Sequence, residues 1–315
     1  MRIAFMGTPD FAVSSLERLL AEGYEIVAVV SQPDRPKGRK KLLAPTPVKE
    51  AALQRGIPVL QPQRMRSPEA VAELAAYKPD LIVTAAYGQI LSKAVLELPR
   101  LGCINVHGSL LPKYRGGAPI QRAIMNGETV TGVTIMYMAE GLDTGDMISR
   151  VEVPIAESDT SGTLFEKLSL AGAELLIRTV PSIIDGTAQA VKQLDEEATY
   201  APNLTRDDER IDWERSAAEL YNQVRGLVPM AGAFTYYNGE LFKIWACRAE
   251  AGAASEALPG TILEAGPSGM SVQTGQGVLR LLEVQPAGKK AMPAAEWLKG
   301  TRAAAGNMFG AAPDA

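Results

Sequence analysis

The chain has little of what most site chemistries draw on. Its 315 residues include one histidine and two cysteines. Cys103 and Cys247 make no CxxC pair and no disulfide framework. With a single imidazole beside them, a zinc site has too few ligands, so a metal-free site is expected. No apolar run reaches the ~20 residues needed to span a bilayer, and no membrane association is expected. The opening stretch MRIAFMGTPDF is soon broken by Gly-Thr-Pro-Asp, which fits a buried first strand and not a secretory leader. A cytoplasmic protein is therefore expected. The net charge of −4 excludes a polycation, so a nucleic-acid partner has to be gripped by local basic patches.

What is present is an alternation. RIAFMG, EIVAVV, PVLQP and DLIVTAAYG are short apolar runs, whereas FAVSSLERLLAEG, TPVKEAALQRGI and PEAVAELAAYKP carry helical spacing. Repeated β-α-β units imply an α/β fold, a parallel sheet covered by helices on both faces. Ligands in such sheets bind beyond the carboxyl ends of the strands. Those ends carry Gly7-Thr8-Pro9-Asp10, the Pro-rich segment after Ser31, Tyr87-Gly88, and Asn105 to Gly108. Between Val191 and Trp213 the composition turns charged and aperiodic, as in an exposed linker. Beyond it, Asn238-Gly239 between β-rich runs predicts a hairpin, and several short strands with Gly-rich turns predict a small OB-like β-barrel. The expected division is a first domain over 1–190, a linker over 191–206 and a second domain over 207–315. A cut near Arg206 should then leave a foldable first domain.

The single histidine lies in GCINVHGSLLPKYRGGAPIQRAI. Asn105 and His107 alternate on a strand and share one face, with Ile104 and Val106 directed at helices on the other. An amide and an imidazole at a strand end suit a polarised carbonyl, one as oxyanion donor and one as proton carrier. A histidine satisfying a buried hydrogen bond beside a turn-capping asparagine would leave the same letters. Asp143 and Asp146 sit in a Gly-punctuated loop, where a carboxylate could orient the imidazole or simply make a tight turn. No activated Ser or Cys is evident, and Cys103 reads as a small buried apolar residue. A third feature is basic: Arg35, Lys37, Arg39, Lys40, Lys41 and Lys49 crowd DRPKGRKKLLAPTPVK, a connection far longer than a βα turn needs, with prolines that forbid a continuous helix.

Taken together, INVHGSLLPKYRGGAPIQRAI and GVTIMYMAEGLDTGDMI resemble the folate-dependent formyltransferases. MGTPDFA, QPDRPKGRKKLLAPTPVK, RIDW and QPAGKKAM extend the likeness over nearly the whole chain. The departure is Val228-Pro229, where related proteins often carry Trp-Pro. The resemblance implies a Rossmann-like parallel-sheet formyltransferase domain followed by an OB-like domain. It implies 10-formyltetrahydrofolate as co-substrate and the α-amine of methionyl initiator tRNA as acceptor. It casts Asn105, His107 and Asp143 as catalytic residues, with direct amine attack. It places the folate against Tyr87, Gly88, Ile90, Ser109, Leu110, Leu111 and Pro112. The arm of Arg35, Lys37, Arg39, Lys40 and Lys41, with Arg39 foremost, would hold the acceptor stem. Lys289, Lys290, Lys299 and Arg302 would track the tRNA backbone, and a monomer is expected. The competing readings are a formyltransferase for an amino sugar nucleotide or a purine precursor, and an RNA-binding protein with a degenerate catalytic fold.

Overall fold

In the computed structural model, residues 1–37, 42–251 and 256–310 are described, with side chains through Pro36 and again from Leu42. In chain order the first elements are β1 (Arg2–Gly7), α1 (Asp10–Ala21), β2 (Glu25–Val30), β3 (Arg35–Lys37), β4 (Leu42–Ala44), α2 (Pro47–Gln54), β5 (Val59–Leu60), α3 (Pro68–Ala76), β6 (Leu81–Ala85), α4 (Lys93–Leu96), β7 (Cys103–His107), α5 (Pro119–Met125), β8 (Val130–Tyr137), β9 (Met147–Pro154) and α6 (Ser161–Ile184). There follow α7 (Arg206–Glu209), α8 (Ala217–Leu227), β10 (Ala233–Tyr237), β11 (Glu240–Glu250), β12 (Ile262–Gly266), β13 (Gly269–Gln273), β14 (Val278–Pro286), β15 (Met292–Pro293) and α9 (Ala294–Lys299).

Thr46-Pro47 and Ser67-Pro68 start α2 and α3 alike: the hydroxyl accepts a backbone N–H three residues on, and proline fills the first helical position. The sheet order is β5-β2-β1-β6-β7-β8-β9. The first five strands are parallel, as expected from sequence, and β8 and β9 extend the sheet antiparallel. Ile3 to Met6, Ile26 to Val30 and Leu81 to Val83 are buried on both faces, which explains why these strands read as unbroken apolar runs. On one face α6 lies so close to β7 and β8 that a Cβ on Gly172 would come within 2.9 Å of Val106 and 3.3 Å of Val133. Glycine is required there by the approach of the helix. The opposite face carries Asn105 and His107.

The chain divides into two compact units, and the division is not a single cut. Met1–Pro119, Val130–Pro154 and Phe165–Pro202 form the first, and Ile120–Thr129, Ile155–Leu164 and Asn203–Ala315 the second. The second holds an antiparallel sheet ordered β10-β11-β14-β13-β12, with β15 beside β14. Asn238 and Gly239, both left-handed, turn β10 into β11 as predicted. Residues 306–310 hydrogen-bond to Tyr236 beside one edge and to Gly260 and Ile262 beside the other, an arrangement compatible with the small barrel expected.

Two expectations are corrected. The stretch from Val191, read as an exposed linker, is stitched into the first unit: Val191 pairs with Met147, Thr199 and Ala201 with Arg115, and Gln193 is 3% exposed. Its charged side chains face outward while its backbone is tied down at Val191, Thr199 and Ala201, so composition alone suggests solvent. A cut near Arg206 also fails to respect the fold. It would strip Arg122 of Asp208, and Ser161 and Gly162 of Val228, all within the second unit.

Candidate active site

Strand alternation sets Asn105 and His107 side by side, opposite Met136 and Thr134 of β8. Asn105 Oδ1 accepts from Thr84 Oγ1 at 2.8 Å. That bond holds the amide oxygen against β6, and among the described residues nothing accepts from the Nδ2 hydrogens. His107 is 5% exposed, and its Nε2 lies 3.1 Å from the Tyr114 carbonyl. A carbonyl only accepts, so Nε2 carries the proton and Nδ1 is the working nitrogen. Nδ1 faces Asp143 Oδ2 at 3.8 Å, too far for a direct hydrogen bond and close enough for charge pairing. The same Oδ2 accepts from Gly116 N at 2.8 Å. Asp146, the other candidate, is exposed and among the described residues is engaged only through its backbone, its carbonyl accepting from Tyr137.

Three segments converge here, two of them in unusual backbone geometry. Tyr114 (φ +60°) and Asp143 (φ +51°) are both left-handed without being glycine, at a cost of about 1–3 kcal/mol each. Thr199 holds the first, accepting from Tyr114 N at 2.9 Å, and Gln193 holds the second, donating to Asp143 O at 2.8 Å. Gly116 has φ +122°, and a Cβ there would sit 2.7 Å from Ala201 O. Only glycine brings its N–H to the carboxylate by that path.

The residues expected to face a folate separate into two groups. Gly88 and Ile90 are exposed, Ile90 at 77%, and Leu110 is half-buried against Gly132. Tyr87 is instead a core residue beside Met6, Met65 and Val95. Burial pushes its phenol up to about 12, and its hydroxyl has no partner among the described residues. Its carbonyl, not its ring, serves the rim, accepting from Thr8 and Gln32. Ser109, Leu111 and Pro112 are buried as well, and Ser109 Oγ donates to Lys113 O, closing the turn. Thr134, which sequence reasoning missed, ties this turn to β8: its hydroxyl donates to Ser109 O and accepts from Leu111 N. A threonine inside the apolar run GVTIMYM was the available signal for it, as Thr84 within LIVTAA was for the Asn105 anchor. Leu142, beside Asp143, is also exposed, at 61%. Burial raises the Cys103 thiol to about 12, consistent with an inert packing residue.

The two ends of the basic arm, β3 and β4, pair antiparallel, and Arg35, Leu42 and Leu43 on them are exposed. Arg39, Lys40 and Lys41 lie outside the described residues, as does the side chain of Lys37. Lys49 is not part of a free basic surface: it pairs with Asp34 at 2.6 Å, and Lys49 and Gln61 together hold that carboxyl below the usual carboxylate range. In the second unit Lys289, Lys290 and Arg302 are exposed, and Lys299 pairs with Glu296 at 2.7 Å. No helix among the described residues is long and apolar enough to cross a membrane.

The fold defines a Rossmann-like α/β protein whose amide, imidazole and carboxylate gather at the carboxyl end of a central strand, joined to a second, antiparallel unit. The chain belongs to the formyl transferase family: the family's profile matches residues 1–180, and that of its C-terminal domain matches 203–302. It is 56% identical to the methionyl-tRNA formyltransferase of Bacillus subtilis over 310 residues, 98% of each chain. With that of Geobacillus thermodenitrificans it is 54% identical over 311 residues, 98% of this chain and 97% of the other. Among solved structures, the N-formyltransferase of Helicobacter canadensis, crystallised with folinic acid and dTDP-3-aminofucose, superposes with TM-score 0.67 at 22% identity, covering 89% of this chain and 98% of that one.

Proposed function

We propose that this chain transfers the formyl group of 10-formyltetrahydrofolate to the α-amine of methionine carried by initiator tRNA. The observation that carries this reading is full-length similarity, above half identity, to curated methionyl-tRNA formyltransferases. The donor set fits a formyl-bearing folate: a free amide NH2 and an imidazole edge on one strand face, with Ile90 and Leu142 left apolar and exposed on neighbouring loops.

The residues divide the work as follows. Asn105 Nδ2, aimed by the Thr84 bond on its oxygen, donates to the formyl oxygen as charge develops there during amine attack. His107, held through Nε2 by Tyr114 O, presents Nδ1–H as a second, charge-assisted donor. Asp143 balances the charge of that doubly protonated ring, and it carries the proton from the attacking amine toward the departing folate nitrogen. No covalent enzyme intermediate enters the scheme. The basic arm with Arg35, Lys37, Arg39, Lys40 and Lys41 grips acceptor-stem phosphates, and Lys289, Lys290 and Arg302 supply further backbone contacts.

The test is formyl transfer to methionyl initiator tRNA, with free methionine and an amino sugar nucleotide as competing acceptors. Formylation of the charged tRNA alone is expected. Preferential formylation of the sugar nucleotide, or no transfer to any acceptor, would overturn the reading.

A further inference from the structure

The strand carrying His107 does not by itself hold the carboxylate opposite it. Asp143 lies within the loop between β8 and β9, whose residues 139–142 are exposed, and its own backbone is left-handed. What fixes it comes from 50 residues further along the chain. Gln193 Nε2 donates both its hydrogens to this loop, to Asp143 O and to Gly145 O, each at 2.8 Å. Its Oε1 accepts from Arg115 Nε at 3.0 Å, and Arg115, 2% exposed, extends its far amino group to Asp195 at 3.0 Å. Arg115 sits between Tyr114, whose carbonyl receives His107 Nε2–H, and Gly116, whose N–H meets Asp143 Oδ2. One buried amide thus spans the loop that carries the carboxylate and the segment that holds the imidazole.

We propose that Gln193 is a positioning residue for the transfer reaction: by clamping the Asp143 loop to Arg115 it sets the carboxylate against Nδ1 of His107. The inference rests on the proposed pairing of Asp143 with His107. It needs both hydrogens and the oxygen of the amide, which a glutamine that merely fills space would not. Its consequence is specific: the loss on removing Gln193 passes through Asp143, so it disappears once Asp143 is gone.

The measurement is steady-state formyl transfer to charged initiator tRNA by the full chain carrying Gln193→Leu, Gln193→Glu, Asp143→Ala or both Gln193→Leu and Asp143→Ala. Gln193→Glu keeps an acceptor for Arg115 and loses both donors, so it guards against a folding defect. Thermal unfolding is recorded for each variant. For both Gln193 variants kcat is expected to fall on the order of 10- to 100-fold, as for a misplaced catalytic group. The KM for each substrate should stay within about 2-fold, and the double variant should be no more than about 2-fold below Asp143→Ala alone. Unchanged kcat in a folded Gln193→Leu protein, losses that multiply in the double variant, or failure of both Gln193 variants to fold would each overturn the proposal. Absence of transfer by the wild-type chain would refute the functional reading instead, and a fully active Asp143→Ala would refute the role given to Asp143. A crippled Asp143→Ala beside an active Gln193→Leu refutes the clamp alone.

Discussion

The two units bury polar groups to opposite ends. In the antiparallel unit, buried donors are turned onto the chain's own backbone: Gln223 onto the carbonyls of Asp208 and Arg210, and Arg225 onto those of Ala156 and Asp159. Its core is aromatic, with Trp213 stacked on Phe309 and Trp297 edge-on to Tyr237 and Phe242. In the parallel unit the core is mainly aliphatic, and the buried polar groups Thr84, Arg115, Thr134 and Gln193 surround two side chains that keep a functional atom unspent, Asn105 Nδ2 and His107 Nδ1. A hydrogen bond that serves only the backbone stabilises by about 1 kcal/mol. One that aims a neighbouring side chain leaves that neighbour able to do chemistry. Burial of polar groups is common to both units, and what sets the first apart is that its buried groups hold an amide and an imidazole at a strand end.

The largest effect that could break this contrast is on the unspent atoms. His107→Ala and Asn105→Ala are each expected to lower the rate of formyl transfer by about 100- to 1,000-fold, the usual loss for one oxyanion donor. Thermal unfolding should be nearly unchanged. Single-turnover transfer at saturating folate checks this, and near wild-type rates in a folded protein would remove the distinction between the units.

A smaller effect is expected where hydrogen bonds serve structure only. Arg122 and Asp208 form a two-pronged ion pair at 2.6 and 2.8 Å within the second unit. Arg122→Ala should destabilise by about 1–3 kcal/mol, as for hydrogen bonds to a charged group, and leave the formyl step of the folded protein intact. The Arg122 guanidinium, with the Thr205 hydrogen bonds, holds the Asp208 carboxyl below the ordinary carboxylate range. A depressed carboxyl contributes its full stability above the unfolded value, near pH 4, and loses it as pH falls through the lower folded value. Acid unfolding below about pH 4 should therefore be steeper in the wild type than in Asp208→Asn. Urea midpoints across a pH series decide it, and parallel curves would dismiss the pair as a stabilising element.

The smallest effect sharpens the comparison inside the first unit. Tyr87→Phe removes a buried hydroxyl with no partner among the described residues. It should leave the folate KM unchanged and stability equal or higher by up to about 1 kcal/mol. A raised folate KM would return Tyr87 to the site as a ligand contact.

Much of the site was legible because its signals are local. Alternation on one strand joins Asn105 to His107, apolar runs mark the parallel strands, and Asn238-Gly239 marks a hairpin, each readable within a few residues. The side chains of Tyr87 and Ser109 were not legible in the same way, because a motif says which residues cluster and not which way each side chain turns. One faces the core and the other closes its own turn. Gln193 and Thr199 were missed for a different reason. A charged, aperiodic segment looks solvated when only its side chains are counted, whereas here its backbone and two uncharged polar side chains do the binding.

By itself, then, the sequence determined the β-α-β framework, the strand-end amide and imidazole, and the basic connection, since each depends on periodicity or composition over a short span. Only the tertiary structure decided which nitrogen of the His107 ring is left to work, and that residues 120–129 and 155–164 belong with the second unit. These depend on contacts between residues tens of positions apart. They are set by how the segments pack, and no local pattern in the chain encodes that packing.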